Sequence, residues 1–296
     1  MGLDSNGIKF LLYTKSLGVD FLETATIGRQ YLYIEPSGFK DILSSFNYQV
    51  DDKNLEIIFK ENDGYAETFF RYIGADITDS FDYSNYEGAT HIHDMNLAIP
   101  DIYKDKYNVV IDGGALEHIF NFPVAIKNCM EMIKVGGYYL GITPGNNFMG
   151  HGFYQFSPEL LFRIFTKENG YEVVKLIVFE TSSPQWFSVQ DPYELKERVT
   201  LENQFPLYIL VIAKKVSSVE IFKNTPQQSD YSLIWNEKPL SGLASISATK
   251  KQNQNMLYHL IRRITPRYIK SKFKNIINNS QDIFNPRFFT PFDTID

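Results

Sequence analysis

Three aspartates end successive β-prone runs: Asp82 closes "ADITDSFD", Asp94 closes "THIHD" and Asp112 closes "YNVVID". A carboxylate in such a place can accept hydrogen bonds from two hydroxyls, and its charge strengthens both. Gly28 ends an earlier run, "ETATIG", with Arg29 and Gln30 after it, and Gly113 follows Asp112. A residue without Cβ lets a ligand approach the backbone closely. Of five histidines, His118 opens the helical stretch after "YNVVIDGG" and His151 sits in the loop "GHG", with Tyr154 and Gln155 just beyond as substrate-binding candidates. With an ordinary pKa of about 6.5, either imidazole could take a proton from a hydroxyl near neutral pH. Glu117, beside His118, is a further candidate for holding a substrate. Each also has a plain structural reading, because aspartates and glycines form turns and histidines at helix starts cap or pack.

No metal site is expected. His91 and His93 would share one face of a strand while Asp94 takes the other, and Cys129, the sole cysteine, excludes both an intrachain disulfide and a four-cysteine zinc site.

The elements that must position these groups follow from hydrophobic spacing. Residues 7–17 carry Ile8, Leu11 and Leu12 at helical spacing, and 23–28 reads as a first strand. Helices are expected at 37–46, with Ser37 as a possible cap, and at 64–73. Strands follow at 75–82 and 90–94. The pattern then becomes regular: strand 107–112, a helix running from Ala115 through Lys134, a "VGG" turn, and strand 138–143. A helix at 157–167 opens with Ser157 and then Pro158, a residue suited to the first helical turn. Strands at 171–180 and 207–214 are joined by an irregular stretch and are expected to pair as an antiparallel edge. Strands alternating with helices define an α/β class: a doubly wound, mainly parallel sheet with helices on both faces. Ligands of such sheets bind beyond the carboxyl ends of the strands, where the strand order reverses.

Composition bounds the partners. A formal charge of −6 over 296 residues provides no general basic field for nucleic acid, so a small molecule is the expected partner. No apolar run approaches the ~20 residues that span a bilayer. The opening residues show no secretory signal pattern. With a single cysteine as well, a cytoplasmic location is expected.

The stretch 107–144, "YNVVIDGGALEHIFNFPVAIKNCMEMIKVGGYYLGITP", resembles the second half of class I S-adenosylmethionine-dependent methyltransferases. In that family the fourth strand runs into an "LEH" helix start, and a "GG" turn precedes the fifth. The likeness extends over roughly residues 20–217 and implies a Rossmann-like, seven-stranded sheet with an antiparallel last strand. It implies S-adenosylmethionine as cofactor, with the Gly28–Arg29–Gln30 loop facing its amino-acid part, Asp82 on the ribose hydroxyls, Asp94 and Met95 bordering the adenine, and Asp112 and Gly113 ending the fourth strand at the site. Acidic residues also suit a cationic sulfonium. The first loop departs from the family pattern: Thr26 stands where an acidic residue is usual, and Gln30 and Leu32 replace later glycines. The interval from Gly28 to Asp82 is long, and an inserted helix at 37–46 accounts for it. Residues 146–159 are similar to the segment after the fifth strand in bacterial methyltransferases acting on sugars or related metabolites. The resemblance thus implies methyl transfer to a small-molecule or saccharide hydroxyl, with His151 and His118 as candidate bases. A non-catalytic binding or scaffold protein of the same fold is the first alternative. A nicotinamide-dependent oxidoreductase is the second, disfavoured because no G-x-G-x-x-G follows a strand.

After residue 217 the alternation ends, which divides the chain into a methyltransferase-like domain, 1–217, whose first 20 residues hold the N-terminal helix, and a C-terminal extension, 218–296. Within the extension, Leu257, Leu260, Ile261 and Ile264 would share one helical face, and Arg262, Arg263, Arg267, Lys270, Lys272 and Lys274 follow with no acid among them. Such a basic amphipathic helix suits docking on the core, with an anionic surface or partner as the alternative.

Overall fold

The computed structural model describes residues 2–231, 283–292 and 294. The chain begins with β1 (Gly2–Leu3), α1 (Ser5–Ser16), β2 (Glu23–Ile27) and β3 (Tyr31–Leu32). Three helices, α2 (Pro36–Ser45), α3 (Asp52–Lys60) and α4 (Glu67–Tyr72), cross to β4 (Ile77–Asp82) and β5 (His91–Ile92). Then come β6 (Tyr107–Gly113), a single 3-10 turn Leu116–His118, α5 (Phe122–Met132), β7 (Ile133–Pro144) and α6 (Pro158–Ile164). The chain continues through β8 (Tyr171–Glu180), β9 (Trp186–Val189), α7 (Pro192–Leu195) and β10 (Leu207–Lys215), and β11 (Phe289–Phe292) lies near the C-terminus.

The large sheet runs in the order β11-β9-β8-β10-β7-β6-β2-β4-β5. Its five strands from β7 to β5 are mutually parallel, while β10 is antiparallel to both β7 and β8. The seven strands from β8 to β5 therefore form the doubly wound sheet with one antiparallel strand expected from the sequence. The strand order reverses between β2 and β6. There Phe81, Ile27, Asp112 and Gly141 occupy one row across β4, β2, β6 and β7. Gly28, Asp82 and Gly113 stand one residue past that row, at the carboxyl ends.

Alternation along the strands separates two cores. Val109, Ile111, Leu210 and Ile212 face one side, with Ile8 and Leu11 of α1, Phe39 and Leu43 of α2 and Phe69 of α4. Val110, Ile209, Val211 and Ala213 face the other, with Ala125, Ile126 and Cys129 of α5 and Leu161 of α6. Strands buried on both faces account for the unbroken apolar run at 207–213.

Four expectations need correction. The pair β8 and β10 is antiparallel but is not the sheet's edge: β9, in the stretch read as irregular, pairs with β8, and β11 pairs with β9, giving nine strands. The helix expected from Ala115 to Lys134 is broken in two, because Pro123 cannot continue a helix from upstream and instead occupies the first turn of α5. The inserted crossover holds two extra helices rather than one. Helix α2 begins after Glu35, with Pro36 in its first turn, so Ser37 is not its cap. The Ser157 cap does form, its hydroxyl accepting from Leu160 N–H. The basic segment 256–274 lies outside the described residues. Among the described residues, no helix is long and apolar enough to cross a membrane.

Leu210 is fully buried in β10, between β7 and β8. Leu210→Ala is expected to lower the unfolding free energy by about 2–5 kcal/mol in chemical denaturation. A loss below about 1 kcal/mol, the size typical of a surface change, would contradict its central place.

Candidate functional site

Two hollows open at the carboxyl ends of the parallel strands and share one wall, His118. The first is a cleft of about 330 Å³ over β2, β4 and β5. Ile27, Phe81, Met95 and Ile119 give it an apolar lining, and Asp82 and Asp94 stand at its rim. Asp82 Oδ1 accepts from Ser84 N–H at 3.3 Å. Asp94 Oδ1 accepts from both the backbone and side-chain nitrogens of Asn96, at 2.9 and 2.8 Å. These bonds, the backbone one foremost, hold its carboxyl below the usual range. Each aspartate thus uses one oxygen on its own loop and keeps the other. Met95, also in the lining, is buried.

The loop after β2 reaches its shape without a glycine run. Gly28 has φ +69°, which an L-residue rarely adopts, and its N–H donates to Phe81 O at 2.7 Å. Gln30 folds inward, its amide nitrogen donating to the carbonyls of Ile27 and Gly28 at 3.0 and 3.1 Å. Its Oε1 lies against Gly113 in the space a Cβ would need. Arg29 turns away from the cleft. Its guanidinium binds Glu67 and the Glu87 carbonyl and lies 4.0 Å from the centre of the Tyr65 ring. Leu32 belongs to β3, which pairs with β1. Side chains therefore fix this loop where glycines would otherwise let it wrap tightly.

The second hollow, about 420 Å³, lies over β6 and β7 beneath the N-terminal segment. Its geometry begins at Asp112. This carboxylate is fully buried: Oδ1 accepts from Ala115 N–H at 2.8 Å and Leu116 N–H at 3.3 Å, and Oδ2 accepts from the Tyr139 hydroxyl at 3.0 Å. Burial raises its pKa and these donors pull it back. The turn so pinned places Glu117 inside and His118 outside. Glu117 is also fully buried, yet neither of its oxygens has a hydrogen-bond partner. Burial first, and then the charge of Asp112, raise its pKa. The Glu117 carbonyl accepts from Phe153 N–H at 2.8 Å and Tyr154 N–H at 3.2 Å, which ties down the loop carrying His151. His151 Nε2 comes 3.5 Å from Glu117 Oε1, and the His118 and His151 rings are 5.1 Å apart. Burial, and then the neighbouring His151, lower the pKa of His118.

The structure thus gathers Gly28, Asp82, Asp94, Met95 and His118 at the cleft, and Gly113, Glu117, His118 and His151 at the cavity. The remaining candidates lie elsewhere. Asp112 is a buried anchor with both oxygens engaged. Arg29 and Gln30 serve the loop itself. Tyr154 donates to the Phe120 carbonyl, and Gln155 accepts from Phe148 N–H, so both brace the loop around His151. Spacing alone missed Asn96, which the "DMN" run could have revealed as an Asx turn, and His93 in the cleft. It also missed Asp4, Tyr33 and Tyr208 in the cavity. No local signal marks these three, because separate elements bring them together.

No family model matches the chain, and no curated protein matches it. Solved structures do resemble it. A candidate methyltransferase from Bacillus halodurans C-125 is 12% identical, the alignment covering 70% of this chain and 99% of that one at a TM-score of 0.40. The branched-chain polyamine synthase of Thermus thermophilus, solved with N4-aminopropylspermidine and 5′-methylthioadenosine, is 12% identical over 73% of this chain and 58% of its own, at 0.38. The methyltransferase CalH, in complex with SAH, is 11% identical over 71% and 57%, at 0.36.

If Asp112 holds the Leu116–His118 turn, its removal leaves two N–H groups and a hydroxyl buried without an acceptor, each costing about 1–3 kcal/mol. Asp112→Ala is expected to lose about 3 kcal/mol or more in chemical denaturation, and Tyr139→Phe, which removes one donor, about 1 kcal/mol. Equally small losses in both variants would show that the carboxylate does not carry the turn.

Proposed function

We propose that this protein transfers a methyl group from S-adenosylmethionine to a hydroxyl of a small, saccharide-like molecule. The observation that carries the reading is the meeting of two hollows at His118, one apolar with acidic rims and one polar and aromatic, at the point where the strand order reverses. The cleft suits an adenosine. Asp82 and Asp94 each keep an oxygen for a hydroxyl or amino group, and Ile27, Phe81, Met95 and Ile119 provide an apolar bed for a flat base. When bound, the cofactor supplies a sulfonium methyl that passes in line to an acceptor oxygen while sulfur keeps the bonding electrons.

The chain's own contribution is positioning and exclusion of water. Tyr33 and Tyr208 offer faces for the apolar side of a sugar ring, Phe179 stacking against Tyr208 from within, and Asp4 and Glu117 offer carboxylates for its hydroxyls. His118, common to both hollows, marks where acceptor oxygen and methyl would meet. The proton that the oxygen loses leaves through the cluster of Glu117, His118 and His151.

Calorimetry with S-adenosylhomocysteine tests the cofactor half of the reading. Binding is expected, with no binding of NAD under the same conditions. Asp82→Ala is expected to weaken it about tenfold or more, since a charged hydrogen bond to the ribose is lost. Failure of the unmodified chain to bind would overturn the reading, and unchanged affinity in Asp82→Ala would remove that residue from the site.

A further inference from the structure

We propose that Glu117, His118 and His151 form the binding site of a single divalent transition-metal ion, open to the cavity above β6 and β7. One carboxylate oxygen and one nitrogen of each imidazole all lie within 4.8 Å of one another. They come from two separate loops, joined by the bonds from Phe153 N–H and Tyr154 N–H to the Glu117 carbonyl.

Glu117 is the decisive group. Other buried acids among the described residues have donors: Asp112 has two N–H groups and Tyr139, Asp79 has Lys106 and Tyr107, and Glu180 has Asn203. Glu117 is fully buried with both oxygens unengaged. A buried carboxylate without a partner is costly, and it takes up a proton unless a cation or donor answers it. His151 at 3.5 Å stands beyond ordinary hydrogen-bond length, and no lysine or arginine lines the cavity. An ion between the three groups supplies the missing partner.

The ligand chemistry selects the ion. Two imidazoles with one carboxylate, leaving positions open, suit divalent first-row metals such as Zn²⁺, Co²⁺, Mn²⁺ or Fe²⁺. Mg²⁺ and Ca²⁺ prefer oxygen ligands. Bonds of about 2.0–2.2 Å draw the donors closer together than they stand here. His151, 42% exposed at the side chain and carried on a loop, can make that adjustment while buried Glu117 stays fixed. With the ion in place the imidazoles are its ligands and no longer take up the acceptor's proton; an acceptor hydroxyl at an open position would instead lose it to solvent more readily. That consequence rests on the methyl-transfer reading; the binding of the ion does not.

The full chain, stripped by a chelator, is titrated with Co²⁺ by absorption and with Zn²⁺ by calorimetry, without S-adenosylmethionine. A single ion per chain is expected, with cobalt d–d bands and a Zn²⁺-dependent rise in melting temperature. Glu117→Gln and His151→Ala are each expected to weaken binding about tenfold or more, since each removes a ligand. His93→Asn, in the neighbouring cleft, should leave it unchanged. Glu117→Gln removes an unpaired buried acid, so it is expected to remain folded, which thermal unfolding without metal verifies. No uptake of Co²⁺ or Zn²⁺, or uptake equally tight in both ligand variants, would overturn the site. A chain that binds S-adenosylhomocysteine but neither metal refutes this inference alone, and one that binds metal but no S-adenosylhomocysteine refutes only the methyl-transfer reading.

Discussion

The buried carboxylate of Asp112 is the joint on which the site is built. It sits in the central row of the sheet, at the end of a strand buried throughout, and takes two backbone N–H groups and the Tyr139 hydroxyl. Burying a charge is costly unless it is well hydrogen-bonded, so the carboxylate and its donors hold one another in place. The chain is thereby obliged to wind a single turn at Leu116–His118 before Pro123 opens α5. Glu117 faces inward and His118 faces out because the turn is fixed at its start and cannot run on into a helix. His151 follows, since its loop is tied to the Glu117 carbonyl. A side-chain anchor near the end of one strand thus assembles a carboxyl and two imidazoles drawn from two crossovers.

The opposite wall of the site is made by different means. Where glycines could have shaped the loop after β2, one glycine with positive φ is joined by a buried glutamine, a latched arginine and a two-stranded pairing of β3 with β1. This ties the N-terminal segment to the loop, and that segment in turn roofs the cavity through Asp4 and Gly7. The substitutions that make the loop look unlike a cofactor loop are the ones that hold it.

The sequence made much of the sheet legible, because strands buried on both faces read as dense apolar runs and the crossovers read at helical spacing. Thus 171–180 and 207–214 correspond closely to β8 and β10, and the Ser157–Pro158 start holds. The short strands β9 and β11 were not legible, since four residues seldom carry a periodic signal and one of the two lies far along the chain. Helical spacing at 115–134 overruns the true element because the apolar pattern runs across Pro123, whose effect is local. At the site, aspartates at strand ends were visible, but their roles were not. Asp82 ends β4, beside the edge strand, and Asp94 lies two residues past the edge strand β5 in a turn closed by Asn96, whereas Asp112 lies next to the end of the central strand β6, where the following turn folds over it. No single-residue pattern distinguishes those surroundings. Position along the chain marks Arg29, Tyr154 and Gln155 as candidates, but their partners, Glu67, Phe120 and Phe148, are fixed only by the tertiary fold.

The two hollows meet at one junction, His118, and the proposed methyl transfer depends on it. A crystal structure of the chain with S-adenosylhomocysteine tests it most directly. Methyl transfer as proposed requires the ribose against Asp82, the adenine over Met95 and beside Asp94, and the sulfur turned toward His118 at the opening between the two hollows. Density for the ligand in any other orientation, or at any other place on the sheet, would contradict it.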